Sequence, residues 1–287
     1  MTATPTLPLR GYRVVCIAVY VPAPAAARRL ASLGADVTRV EPPQGDPLAT
    51  WGAAWYDALR AGQRVVRLDL KESAGRVALG ELLAGADLLL TAWRPVALER
   101  LGLDWPRLHA AYPRLCHVAV TGYGAPDEDR PGHDLTYQAR AGLLAPPHFP
   151  STLVADLAGA ERAVSTAVAL LLARERGGEA GRAHVALADA AAPFAEPRQY
   201  GFTAPGGILG GGLPGYAMYR AQDEWIAVAA LEPHFWSTLV TELGLPPTAD
   251  RRALGAAFLA GTAEHWEEWA RARGLPIVAV RWAAAGG

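Results

Sequence analysis

The stretch Arg13–Glu41, RVVCIAVYVPAPAAARRLASLGADVTRVE, decides the fold. Its first part, Arg13 to Tyr20, is a short apolar run of the kind that forms a strand buried on both faces. Ala25 to Leu33 has helical composition, and Gly34 is well placed to end that helix, since glycine adopts the left-handed conformation of a C-terminal cap freely. Asp36 to Glu41 then returns to β-forming residues. Strand, helix and strand within thirty residues is the unit from which parallel sheets are built.

The same alternation continues toward Val120. Further strands are expected at Arg64 to Leu70, Ala86 to Ala92 and Arg114 to Val120, with helices at Ser73 to Leu83, Val96 to Arg100 and Trp105 to Ala111. The expectation is an α/β, Rossmann-like parallel sheet covered on both faces, its units winding right-handed. A polar loop, Thr121 to Gly132, leads to a helix from about His133 to Leu143, and loops in that position line crevices at the carboxyl ends of strands. Ala158 to Arg176 is the strongest helix, with Asp156 ahead of it at a capping position. Arg182 to Leu187 is a candidate for one more strand.

Prolines and glycine runs between Pro193 and Pro214 break any periodicity, which marks a linker or Gly-rich loop. The expected organisation is therefore a large domain over 1–192, the linker over 193–214 and a small α/β domain over 215–287. The small domain should hold a hairpin, Tyr216 to Arg220 with Trp225 to Ala230, followed by helices near Pro233 to Leu243, Arg251 to Leu259 and Ala263 to Arg273.

Composition narrows the function classes. Hydrophobic residues make up 51% of the 287 and charged residues 19%, the mark of a well-buried globular protein. A formal net charge of -1 provides no global field for nucleic acid or an anionic membrane, so any anion site must be a local cluster. Cys16 and Cys116 both lie in apolar strand-like runs, which argues against a disulfide framework and fits a reducing cytoplasm. Ala23-Pro24-Ala25 resembles a signal-peptidase site, but strand, turn and helix account for it better. No run approaches membrane-spanning length.

Four groups of residues could carry chemistry. His133 stands in Arg130-Pro131-Gly132-His133-Asp134, where an imidazole beside a carboxylate could move protons near neutral pH; a capping or solvent-exposed histidine is the plainer alternative. Asp156 is either a helix cap or part of a site in which the first-turn N–H groups stabilise an oxyanion. Glu232 could simply begin a helix, with Pro233 at its first position. Lys71, Arg94 and Arg100 fall at or after strand ends, where they could converge on phosphates or be solvated charge. The scattered histidines lack metal-ligand spacing, so no metal site is expected, and Walker, nucleophile-elbow and HExxH patterns are absent.

Several segments in a fixed order give the chain a family likeness. Leu33-Gly34-Ala35-Asp36-Val37 is followed by Val40-Glu41-Pro42-Pro43 and Gly45-Asp46-Pro47, then by Leu68-Asp69-Leu70-Lys71, Arg94-Pro95, Leu98-Glu99-Arg100-Leu101-Gly102 and Thr121-Gly122-Tyr123-Gly124. In these the sequence resembles the family III CoA-transferase superfamily (CaiB/BaiF type) from about Gly11 to Arg281. Gly132-His133-Asp134 and Glu232-Pro233-His234-Phe235 resemble the α-methylacyl-CoA racemase branch. The resemblance implies a family III fold, an interlocked homodimer, and an acyl-CoA substrate with no prosthetic group.

It also implies roles. His133 and Asp156 would stand on opposite sides of the substrate α-carbon, with Glu232, from a partner subunit, supporting His133. Coenzyme A contacts would fall on Leu68, Lys71, Arg94, Arg100, Gly132 and Tyr137, with Trp93 suited to stacking on adenine. The enolate would be held by hydrogen bonds at the start of the Ala158 to Arg176 helix. The chain departs from the family at Val15-Cys16-Ile17-Ala18, at Ala23 and at Ala92, and its small domain is expected to be shortened. Two alternatives stand beside the racemase: a CoA-transferase using Asp156 as nucleophile under a Gly206 to Gly212 loop, and a non-catalytic acyl-CoA-binding relative.

Overall fold

A computed structural model describes residues 7–281. The chain divides into two compact units, Met1–Ala195 and Glu196–Gly287.

The first unit is built on a six-stranded, fully parallel sheet. Its strands are β1 (Arg13–Ile17), β2 (Asp36–Glu41), β3 (Arg64–Arg67), β4 (Leu88–Thr91), β5 (Cys116–Thr121) and β6 (Arg182–Ala186). They lie in the order β3-β2-β1-β4-β5-β6. The helices are α1 (Pro22–Ser32), α2 (Leu48–Trp51), α3 (Ala53–Arg60), α4 (Ser73–Ala84), α5 (Pro95–Arg100), α6 (Trp105–Ala111), α7 (Asp134–Ala141), α8 (Val154–Glu175) and α9 (Leu187–Ala191). The α/β class expected from the sequence is therefore observed.

Alternate residues of each strand feed two separate cores, as the two-residue repeat of a strand requires. On one face Val14, Cys16, Leu88, Leu90 and Val118 meet the small residues Ala23, Ala26 and Ala27 of α1 and Ala160, Ala163 and Ala167 of α8. On the other, Val15, Ile17 and Leu89 pack with Leu79 and Leu83 of α4, Leu98 of α5 and Leu108 of α6. The order reverses between β1 and β4, which makes the carboxyl ends of those strands the topological switch point.

Three expectations are corrected. β1 leaves the sheet at Ile17 rather than Tyr20, because the Tyr20 N–H is taken by the Asp46 carboxylate at 3.1 Å instead of a neighbouring strand. α2 and α3 occupy a stretch for which the sequence suggests no element, held partly by the Tyr56 hydroxyl donating to Glu41 at 3.0 Å. The third is the long helix, which begins at Val154, four residues early, so Asp156 lies inside its first turn.

The second unit carries an antiparallel sheet of β7 (Tyr216–Arg220), β8 (Trp225–Ala229) and β9 (Ile277–Ala279). The short α10 (Glu196–Gln199) precedes it, and α11 (Pro233–Glu242), α12 (Arg251–Phe258) and α13 (Ala263–Arg271) cover it through Leu239, Leu254, Phe258 and Trp266. β9 leaves no mark in the sequence pattern, since three residues are too few to show periodicity. Among the described residues no helix is long and apolar enough to cross a membrane.

Candidate active site

Two clefts open at the switch point and share Val19. The first, about 480 Å³, is bounded by Tyr20 to Pro22 after β1, Arg94 after β4, Gly122 after β5, and by Gly132, His133, Tyr137 and Asp156. The second, about 350 Å³, is bounded by Ala18 after β1, Pro42 to Gln44 after β2, Leu68 to Lys71 after β3, and Trp93 after β4. Trp93 and Arg94 are consecutive, so the turn after β4 faces one cleft with each residue.

His133 is the N-cap residue of α7. Its backbone is extended, its N–H donates to the Thr136 hydroxyl at 3.1 Å, and that hydroxyl donates back to the His133 carbonyl at 2.8 Å. This local closure holds the turn while the imidazole stays at the cleft wall. Gly142, at φ 78, ends the helix in the left-handed conformation.

Asp134, next along, is buried, and its carboxylate performs the capping task expected of Asp156. One oxygen accepts from the N–H groups of Ala155 at 2.8 Å and Asp156 at 3.0 Å; the other accepts from Gln138 Nε2 at 2.5 Å. The first turn of α8 is thus capped from twenty-two residues upstream. One expectation fails and another is narrowed. Asp156 is not the cap, and the Ala155 and Asp156 donors are not free to hold an enolate.

Freed from capping, the Asp156 side chain faces the first cleft. Burial pushes its pKa up from 3.8 to about 7, and the negative charge of Asp134 pushes in the same direction. Both protonation states are then populated near neutral pH, the condition under which a carboxyl group can give or take a proton.

Tyr137 stands beside it. Its ring meets Tyr123 edge-on at 5.1 Å and 84°. A Cβ at Gly132 would come within 2.5 Å of that ring, and one at Gly122 would overlap the hydroxyl, so both glycines are needed for the close approach. The hydroxyl has no hydrogen-bond partner among the described residues, although Tyr137 is buried at the cleft wall. Burial first, then the charge of Asp156, raises its pKa to about 12, so it stays a donor at working pH.

Of the residues singled out from the sequence, His133, Asp156, Arg94, Gly132 and Tyr137 meet in the first cleft, and Leu68, Lys71 and Trp93 in the second. Arg100 lines neither; it is exposed in the last turn of α5. Glu232 belongs to the other unit, where it precedes α11 with Pro233 at the first helical position. Sequence reasoning misses Tyr20, Trp51 and Trp55, which also line the first cleft. Tyr20 is the one described non-glycine residue with positive φ, 68°, a strain that no local pattern announces.

The family model for CoA-transferase family III matches residues 9–285. The chain belongs to that family. It is 32% identical over 265 residues to the cinnamoyl-CoA:phenyllactate CoA-transferase of Clostridium sporogenes, covering 82% of this chain and 64% of that protein. It is likewise 32% identical over 255 residues to the alpha-methylacyl-CoA racemase of Mus musculus, covering 83% of this chain and 65% of that protein. The chain thus spans just under two thirds of the length of these curated relatives. Among solved structures, a hypothetical protein of Mycobacterium tuberculosis superposes with a TM-score of 0.84 at 27% identity, covering 98% of this chain and 85% of the other. The fold is the family III fold, and both transferases and racemases are among its relatives.

Proposed function

We propose that the first unit binds an acyl-CoA thioester across both clefts and that the protein interconverts the two configurations at the thioester α-carbon. One observation carries the reading: His133 and Asp156 line the same cleft, and Asp156 titrates near neutrality. In the proposed reaction one of the two takes the α-proton, and the C–H electron pair moves to the thioester oxygen as an enolate. The other, as its conjugate acid, returns a proton to the opposite face. Configuration is lost because the enolate is planar.

The enolate oxygen needs a donor, and Asp134 already occupies two of the N–H groups at the start of α8. Tyr137 supports that role in this reading, since its hydroxyl is protonated and unpartnered beside Asp156. Coenzyme A lies in the second cleft, with Trp93 under the adenine, Leu68 beside it and Lys71 toward the phosphates, while Arg94 meets the cofactor from the first cleft. Holding that remote part positions the α-carbon for proton transfer. Glu232 supports His133 from a second copy of the chain, which makes a homodimer part of the proposal.

A transferase is the second reading, favoured by the likeness to the Clostridium sporogenes enzyme and by the Gly206 to Gly212 stretch. One experiment separates them. Incubated in D2O with a 2-methylacyl-CoA, a racemase incorporates deuterium at the α-carbon, and His133→Ala and Asp156→Ala each slow it severely. A transferase incorporates none, and instead moves labelled CoA between carboxylic acids; added hydroxylamine attacks its acyl intermediate at Asp156, displacing the carboxylate or CoA and leaving a hydroxamate there.

A further inference from the structure

One wall of the first cleft is made of three rings that the protein leaves uncovered. Trp51 is 72% exposed, Trp55 38% and Tyr20 37%, and all three line the cleft. Tyr20 and Trp51 lie with ring centres 5.5 Å apart at 32°. Exposed singly, such residues need no explanation; three on one cleft wall do.

Their placement is enforced from below by a buried ionic cluster. The Asp46 carboxylate accepts the Tyr20 N–H and the Leu48 N–H, at 3.1 and 2.9 Å, which ties the turn after β1 to the start of α2. Arg39 pairs with Asp46 at 2.8 Å and with Glu41 at 3.2 Å, all three side chains being fully buried. Glu41 in turn accepts from Tyr56 on α3, the helix that carries Trp55. A bulky residue at positive φ persists only where its surroundings over-determine it, and such residues gather at ligand clamps.

Fixed aromatic planes discriminate between apolar partners. A flat ring meets them in offset or edge-on contact, with a gain beyond area burial, and loses little freedom on binding. A flexible saturated chain of equal size gains no such contribution and loses several rotors.

We infer that the acyl half of the substrate carries an aryl group close to the α-carbon, seated on Tyr20, Trp51 and Trp55. The inference rests on the reading of this cleft as the acyl-CoA site, and it names the acyl class. Its test is binding, which does not depend on turnover. The full-length protein is titrated calorimetrically with 2-phenylpropanoyl-CoA and with 2-methyloctanoyl-CoA, thioesters of equal acyl carbon number, each affinity being taken relative to free CoA on the same preparation. The aryl thioester binds about tenfold tighter to the parent protein, as two ring contacts would give. Trp51→Ala reduces that preference to about threefold, and Trp51→Phe keeps most of it. Equal affinities in the parent overturn the inference, as does a Trp51→Ala variant that weakens both thioesters by one factor. Aryl preference without α-deuterium exchange removes the racemase reading and leaves this one standing; exchange without aryl preference does the reverse.

Discussion

The carboxylate of Asp134 accepts the backbone N–H of Asp156 at 3.0 Å, so the residue beside one proposed base caps the helix that presents the other. The same charge helps to hold the Asp156 carboxyl protonated, second to burial. Asp134→Asn keeps an oxygen for both α8 donors and removes the charge. The limb of the exchange pH profile that belongs to Asp156 should therefore move to lower pH. An unmoved limb would show that the Asp134 charge does not reach Asp156.

Tyr137 tests the enolate assignment. Tyr137→Phe keeps the ring that fits between Gly122 and Gly132 and deletes only the donor. Losing one preorganised donor typically lowers kcat by about 10² to 10³, or about 3 to 4 kcal/mol of barrier. Steady-state exchange should show that loss in kcat with little change in KM. A loss confined to KM would mark Tyr137 as a CoA contact only, the role the family resemblance implies.

Elements set by local signals are legible in the sequence, and those set by distant contacts are not. β2 has the limits its residues suggest, and so does α6 at both ends, where Asp104 caps it by accepting from Arg107 N at 3.2 Å. The end of β1 is hidden because its terminator is Asp46, twenty-six residues on. Asp156 looks like a cap because a carboxylate at a helix start usually is one; the true cap, Asp134, arrives through a fold-dependent contact. The aromatic wall is invisible for the same reason, since Tyr20 reaches the cleft only by way of the Arg39 cluster.

Asp156 should also cost stability where it helps the reaction. Its folded pKa of about 7 lies above the unfolded value of 3.8, so the folded state binds the extra proton between those limits. Stability associated with this group is present below pH 3.8 and is lost as pH rises through 7. Asp156→Asn removes the ionisation and should stabilise the protein by about 1–3 kcal/mol at pH 8, with no gain at about pH 3. Urea unfolding at the two pH values decides it, and equal differences at both would refute the linkage.

His117 carries the opposite dependence. Its side chain lies in β5, 1% exposed, with Nε2 3.0 Å from the Thr91 hydroxyl. Burial, with a smaller push from the Arg182 charge, lowers its pKa from 6.5 to about 3. The unfolded chain therefore binds one more proton than the folded one between pH 6.5 and 3. Stability is full above 6.5 and falls with falling pH across that window, at about 1.4 kcal/mol per pH unit where the difference is a whole proton. His117→Leu should lose about 1–3 kcal/mol at pH 7.5, because Thr91 is left without its partner. Below about pH 6 its stability should decline less steeply than that of the parent, so that the two unfolding curves converge. Parallel decline in urea titrations from about pH 7.5 to 4 would mean that His117 does not enter the acid transition.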